Sequence, residues 1–255
     1  MTAALAALPL ERMDTELRVL ATEAAGRSRG YLAHMLSLRF GPRGHGLPAY
    51  PEHGLHTLEA ETVEAWAADR FTRGNAALAF TGRPPDGLNL RLPDGPRFAT
   101  PKAVTVPAEY PTFTIGERGG IGCSLLARRS SALTSLIRVI HRRATQHLRT
   151  ELGISYAIDT SYQRLDDDLA HLTVAADALP DQTENVLGGL LHVLESLART
   201  GPTPDELDRD FEGAEQAYAQ EDAILAELDA AARYELSGEH PKTQKTLLRE
   251  LREAP

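Results

Sequence analysis

The sequence predicts an α+β fold, an antiparallel sheet with helices packed on one face. Strand-like runs at 110–116, 121–127, 155–163 and 169–177 are punctuated by turn residues, and Arg164-Leu165-Asp166-Asp167-Asp168 reads as a hairpin between the last two. A helix-period run from about Ser131 to Leu148 interrupts the strands, with Leu133, Leu136, Ile137, Ile140 and Ala144 on one stripe. Two further helical patterns, 182–199 and 204 to about 236, follow. Thr203, Pro204 and Glu206 give the second a capping box with proline in its first position.

The N-terminal part is built differently. Leu17, Leu20, Ala21 and Ala24, then Leu32, Met35 and Leu36, recur at three and four, so two helices lie between Leu10 and Leu38 with a break near Gly26 and Gly30. The glycine- and proline-dense run 41–48 is a loop. Thr57 is positioned to cap a helix through Asp69, with Glu59 to Glu64 favouring its positive end, and Asn75 to Thr81 reads as a strand. Residues 82–108 are rich in proline and poor in periodicity, which makes 96–108 a linker between a domain at 1–95 and one at 109–255.

Composition excludes several functions. A chain of 255 residues with 42% hydrophobic content can bury a real core, and a net charge of −9 argues against a nucleic-acid surface. Arg128, Arg129, Arg138, Arg142 and Arg143 cluster on or beside one helix and read as its solvated face. The single cysteine, Cys123, has apolar neighbours and reads as a buried small hydrophobe in a reducing compartment. The N-terminal apolar run lacks a basic flank and stops at Glu11, and nothing approaches the ~20 apolar residues of a membrane helix, so a soluble cytoplasmic protein is expected.

The most informative stretch is Leu148-Arg149-Thr150-Glu151-Leu152-Gly153-Ile154-Ser155-Tyr156-Ala157-Ile158, a helix end passing through glycine into a strand. It brings a guanidinium and a phenol within reach of one oxygen, and both donate to an anion or carbonyl. On the residues alone, Arg149 is equally a helix C-terminal contact with the dipole and Tyr156 an aromatic that starts a strand. Together with the Gly201-Pro202-Thr203-Pro204-Asp205-Glu206-Leu207 helix start, the stretch resembles the M16 peptidases, the insulinase and pitrilysin family of zinc enzymes. The resemblance implies that Arg149 and Tyr156 hold the scissile region of a peptide across a closed chamber from the metal. It also makes 1–95 an incomplete copy, the second half only, of the domain kind that 109–255 represents.

The family's His-x-x-Glu-His zinc motif is missing: the nearest string is His56-Thr57-Leu58-Glu59-Ala60, in the wrong place along the chain. Glu16 and Glu23 resemble the glutamates that follow that motif, but without the histidines there is no site for them to complete. His53, His56 and Glu59 have i, i+3, i+6 spacing, yet His53 precedes the expected helix cap. Ser124 lies in an expected strand without a nucleophile motif, and the glycines at 116–122 join two strands rather than cradling phosphate. The expected function is therefore a non-autonomous subunit of a split metallopeptidase, with zinc in a partner M16-like subunit and none in this chain. The alternatives are an inert scaffolding protein of the same fold and an autonomous hydrolase using His53, His56 and Glu59.

Overall fold

The computed structural model describes residues 7–26, 30–89, 91–115, 119–220, 222–240 and 242–253. Its contacts divide these into two units interleaved along the chain. The first unit takes the described residues up to Gly30, Pro48–Thr100 and those up to Lys242 that follow Gln220; the second takes Tyr31–Leu47, Pro101–Gln220 and the described residues from Thr243.

The second unit holds the sheet. Strands β1 (Ile121–Arg128), β2 (Ile158–Arg164) and β3 (Leu169–Ala176) are antiparallel in the order β1-β3-β2, so β3 is central. Ile121 and Ile158 both oppose Ala176, and Arg128 opposes Leu169. Period-two alternation sends Ala170, Leu172, Val174 and Ala176 to one face, where they meet α4 (Ala132–Ala144) and α5 (Thr183–Thr200). Leu133, Ile137, Ile140 and Ala144 supply the α4 stripe; Val186, Leu190, Val193 and Leu197 supply that of α5. Each leucine, isoleucine and valine among them contributes about 1.5–3 kcal/mol when fully buried. Helices thus cover one sheet face, as the sequence predicts. The opposite face carries an element from the N-terminal region, α2 (Gly30–Phe40), whose Leu36 and Phe40 pack with Leu165, Leu126 and Leu169.

The hairpin turn forms where expected. Asp166 Oδ1 accepts from the backbone N–H groups of Asp168 and Leu169 at 2.8 Å each, and Oδ2 accepts from Ala103 N at 2.7 Å. Burial alone would raise this carboxyl; those three bonds and Lys102 hold it below the usual carboxylate range. α6 (Pro204–Tyr218) begins with the predicted capping box, Thr203 N donating to Glu206 at 2.8 Å and Glu206 N to the Thr203 hydroxyl at 3.3 Å. Thr203→Ala should cost about 1 kcal/mol, read as a shift of the urea midpoint at unchanged slope.

Several expectations are corrected. The helix expected from 204 to 236 is two, α6 and α7 (Ala223–Leu236), interrupted after Tyr218. The strand expected at 110–116 is irregular over its described residues, with Phe113 and Ile115 each 91% exposed; Gly116, Glu117 and Arg118 lie outside them. In the first unit, α1 (Met13–Gly26) forms as predicted, but the helix expected from Thr57 begins only at α3 (Ala60–Arg70), preceded by a separate turn at Leu55–Thr57. Asn75 to Thr81 forms no strand: Asn75 closes a short turn and its side chain donates to Arg70 O at the end of α3. An extended segment becomes a strand only beside a partner, and here the neighbouring Arg73 bonds to the irregular Leu92 and Pro93 backbone.

The basic cluster is also reassigned. Arg138 clasps Asp210 on α6 with two bonds of 2.6 and 2.7 Å, Arg142 reaches the same carboxylate at 3.3 Å, and Arg143 clasps Glu206 at 2.7 Å through both oxygens. These guanidinia are internal clamps between α4 and α6. Sequence periodicity placed them on one face; it could not show that the acidic face of another helix lies against it.

Candidate functional site

The helix-glycine-strand turn lies in the second unit. After Ala144 the helix widens into a π-helical segment, Thr145–Glu151, whose end is marked by Leu152 N donating to His147 O and Ile154 N to Leu148 O, both at 3.0 Å. Such widened turns put an extra residue into the coil and change where side chains point. Leu148 is fully buried against the α4–α5 core and anchors the segment, so its neighbour Arg149 faces outward. Gly153 then reverses the chain at φ +63°, a conformation that costs other residues sterically.

On the far side of the turn the backbone is braced by one carboxylate. Asp177, just beyond β3, accepts from the Ser155 hydroxyl at 2.6 Å, Tyr156 N at 2.8 Å and Ala157 N at 2.9 Å on a single oxygen. The Ser155 bond, foremost, holds the Asp177 carboxyl below its usual range. Tyr156 is therefore fixed at its main chain although the residue is 73% exposed.

Arg149 and Tyr156 come together. The guanidinium carbon sits 4.5 Å from the centre of the Tyr156 ring, a cation–π stack. The guanidinium lies over the ring face, rather than in the tip-to-tip convergence that sequence spacing suggests. Stacking of this kind at an exposed site stabilises by about 0.5–1 kcal/mol, too little to organise the turn but enough to orient the two side chains. Among the described residues, neither head group makes a hydrogen bond or ion pair with protein, so the donors of both remain available to a carbonyl or an anion. Beside them, His147 bonds Glu151 at 2.9 Å and stacks near His192 with ring centres 5.2 Å apart. That bond, with help from Gln146, lowers the Glu151 carboxyl. Ser155 and Asp177 were not legible as part of this site, because their role depends on β3 ending beside the turn.

The other candidates are not gathered. In the first unit Glu16 pairs with Arg12 at 3.4 Å on the exposed side of α1, and Glu23 lies further along that helix. His53 and His56 line an open groove of about 650 Å³ against Leu17, Ala21 and Ala24. Glu59 is the extended residue before α3. Among the described residues no three His, Cys, Asp or Glu side chains are placed to hold a metal ion, and these residues do not fit zinc. Cys123 is partly buried in the sheet, which raises its thiol pKa. Ser124 bonds His171 Nε2 at 2.7 Å, a pair that sequence reasoning missed because the partners are on separate strands.

No family model matches the sequence, and a search of curated proteins finds no match. Solved structures are. The chain superposes with a TM-score of 0.63 on a peptidase M16 inactive domain from Pseudomonas fluorescens, at 15% identity over 97% of this chain and 68% of that one. A protease from Helicobacter pylori gives 0.61 at 13% identity over 96% and 69%, and the first half of the periplasmic protease PqqL from Escherichia coli gives 0.57 at 12% over 99% and 64%. Against the structure of PqqL itself the match covers 54% of this chain and 17% of that one. The fold is M16-like. No helix among the described residues is long and apolar enough to cross a membrane.

Proposed function

We propose that this chain is the zinc-motif-lacking subunit of a split M16-type metallopeptidase, closing the chamber of a zinc-bearing partner and holding peptide through Arg149 and Tyr156. The observation that carries the reading is the pair itself: two stacked, solvent-facing donors on a turn braced by Asp177 and anchored by Leu148. Pre-aimed donors stabilise an oxyanion best in a dry enclosure, which the partner's surface would complete. The likeness to an inactive M16 domain supports the same reading. In it, residues 1–95 correspond to the second half of an M16-like first domain, 96–108 to the linker and 109–255 to the second domain. The compartment proposed is the cytoplasm, which suits a lone thiol and is checked by cell fractionation.

The test mixes the purified chain with a zinc-bearing M16-like subunit encoded beside it. A one-to-one complex with zinc-dependent cleavage of unfolded peptide, absent from this chain alone and weak in the partner alone, is expected. Failure to associate, or a partner equally active without this chain, overturns the proposal.

A further inference from the structure

The sheet face beneath α2 is unusual for a covered surface. Beside Leu126 and Leu169 it presents Ser124, Asp159, Ser161, Gln163, His171 and Thr173 on three adjoining strands, as the register requires. His171 is completely buried at its centre. From α2, Arg39 donates through Nε to Ser124 Oγ at 2.6 Å and through a second nitrogen to Ser124 O, and the serine bonds His171 Nε2. Where Ser124 Oγ donates to it, Nε2 is the acceptor and the imidazole proton sits on Nδ1; in the other tautomer Nδ1 is a bare acceptor. Among the described residues that Nδ1 has no hydrogen-bond partner, nor does Oε1 of Gln163, the residue directly opposite on β2. Two buried polar atoms left unpaired on this face make covering it costly in either tautomer.

The helix is also delimited as a separate piece. Gly30 and Gly41 bound it with φ of +61° and +64°, and the division between the two units falls at Gly30. Only Leu36 and Phe40 on it are deeply buried.

We propose that α2 is a displaceable cover over a polar strand face, released when His171 takes up a proton. Among the described residues no anion is found to stabilise the charged imidazole: the neighbours are Ser124 on β1, Gln163 on β2, and Arg39 and His45 on and after α2. Arg39 stacks at 4.9 Å over Tyr110, and Tyr31, nearer Asp159 and Thr173, is neutral in this range as any phenol is, burial raising its pKa further. Burial, then Arg39 and His45, lowers His171 from 6.5 to about 4. A histidine so depressed takes up protons in the open state first, so closure is favoured above pH 6.5 and weakens as pH falls towards 4. The opening equilibrium of α2 should increase on the order of a hundredfold between pH 7 and 4.5. What is uncovered is a row of hydroxyl, amide and imidazole groups.

Amide hydrogen exchange on the whole chain, corrected for intrinsic rates, tests this. Amides of residues 31–40 should lose protection between pH 7 and 4.5 while α4 and α5 keep theirs, and His171→Gln should make α2 exchange independent of pH in that range. Protection at 31–40 that persists at pH 4.5, or that is lost only together with α4 and α5, overturns the proposal on the wild-type chain alone. A pH response unchanged in His171→Gln overturns it equally.

Discussion

Tyr156→Phe, made in the reconstituted complex, is expected to lower turnover about a hundredfold or more with zinc content and assembly unchanged, as loss of a donor to a developing oxyanion does. The substitution keeps the ring on which Arg149 stacks and the main chain that Asp177 holds, so it removes the hydroxyl and little else. Arg149→Lys should also reduce turnover, because a compact ammonium reproduces neither the planar stack nor the two-pronged donation. If the pair only packs, the pattern inverts: Tyr156→Phe leaves the rate intact and Arg149→Lys appears as a small loss of stability, near the 0.5–1 kcal/mol of an exposed cation–π contact. Wild-type rates in a complex carrying both substitutions would end the catalytic reading.

What the sequence made legible follows the range of the forces concerned. The capping box at Thr203, the Asp166 hairpin and the stripes of α4 and α5 were readable because each depends on residues within a few positions of one another. The strand order was not written in any one segment, and two expected strands failed for lack of a partner ladder. Arg149 and Tyr156 were found because local chain reversal through Gly153 unites them. Asp177, which braces that reversal, and His171, which bonds Ser124 across two strands, become partners only after the sheet assembles. The arginine cluster shows the same limit: its charges were visible and its counterions, on α6, were not.

Those counterions give the largest expected effect on stability. Asp210 is 3% exposed and takes three guanidinium bonds, two from Arg138 and one from Arg142. Burial by itself would raise its carboxyl, but Arg138, Ser135 and Arg142 hold it below the ordinary aspartate range. Breaking a buried pair by removing one partner typically costs 3–5 kcal/mol, since a charge is left uncompensated. Here the orphaned side chains are 43% and 38% exposed and can turn towards water, so the low end applies and Asp210→Ala should cost about 3 kcal/mol. Arg143 and Glu206 repeat the clamp one turn away, with the Glu206 carboxyl lowered to about 2, first by the bond from Arg143. Both carboxyls are depressed on folding, so their stabilisation is complete above the ordinary carboxylate range and is lost as acid protonates them. Urea unfolding at pH 7 should therefore show the full deficit of Asp210→Ala, and the gap between variant and wild type should narrow as pH falls below the ordinary aspartate range. A deficit below about 1 kcal/mol at pH 7 would mean that the Asp210 clamp contributes no more than an exposed ion pair.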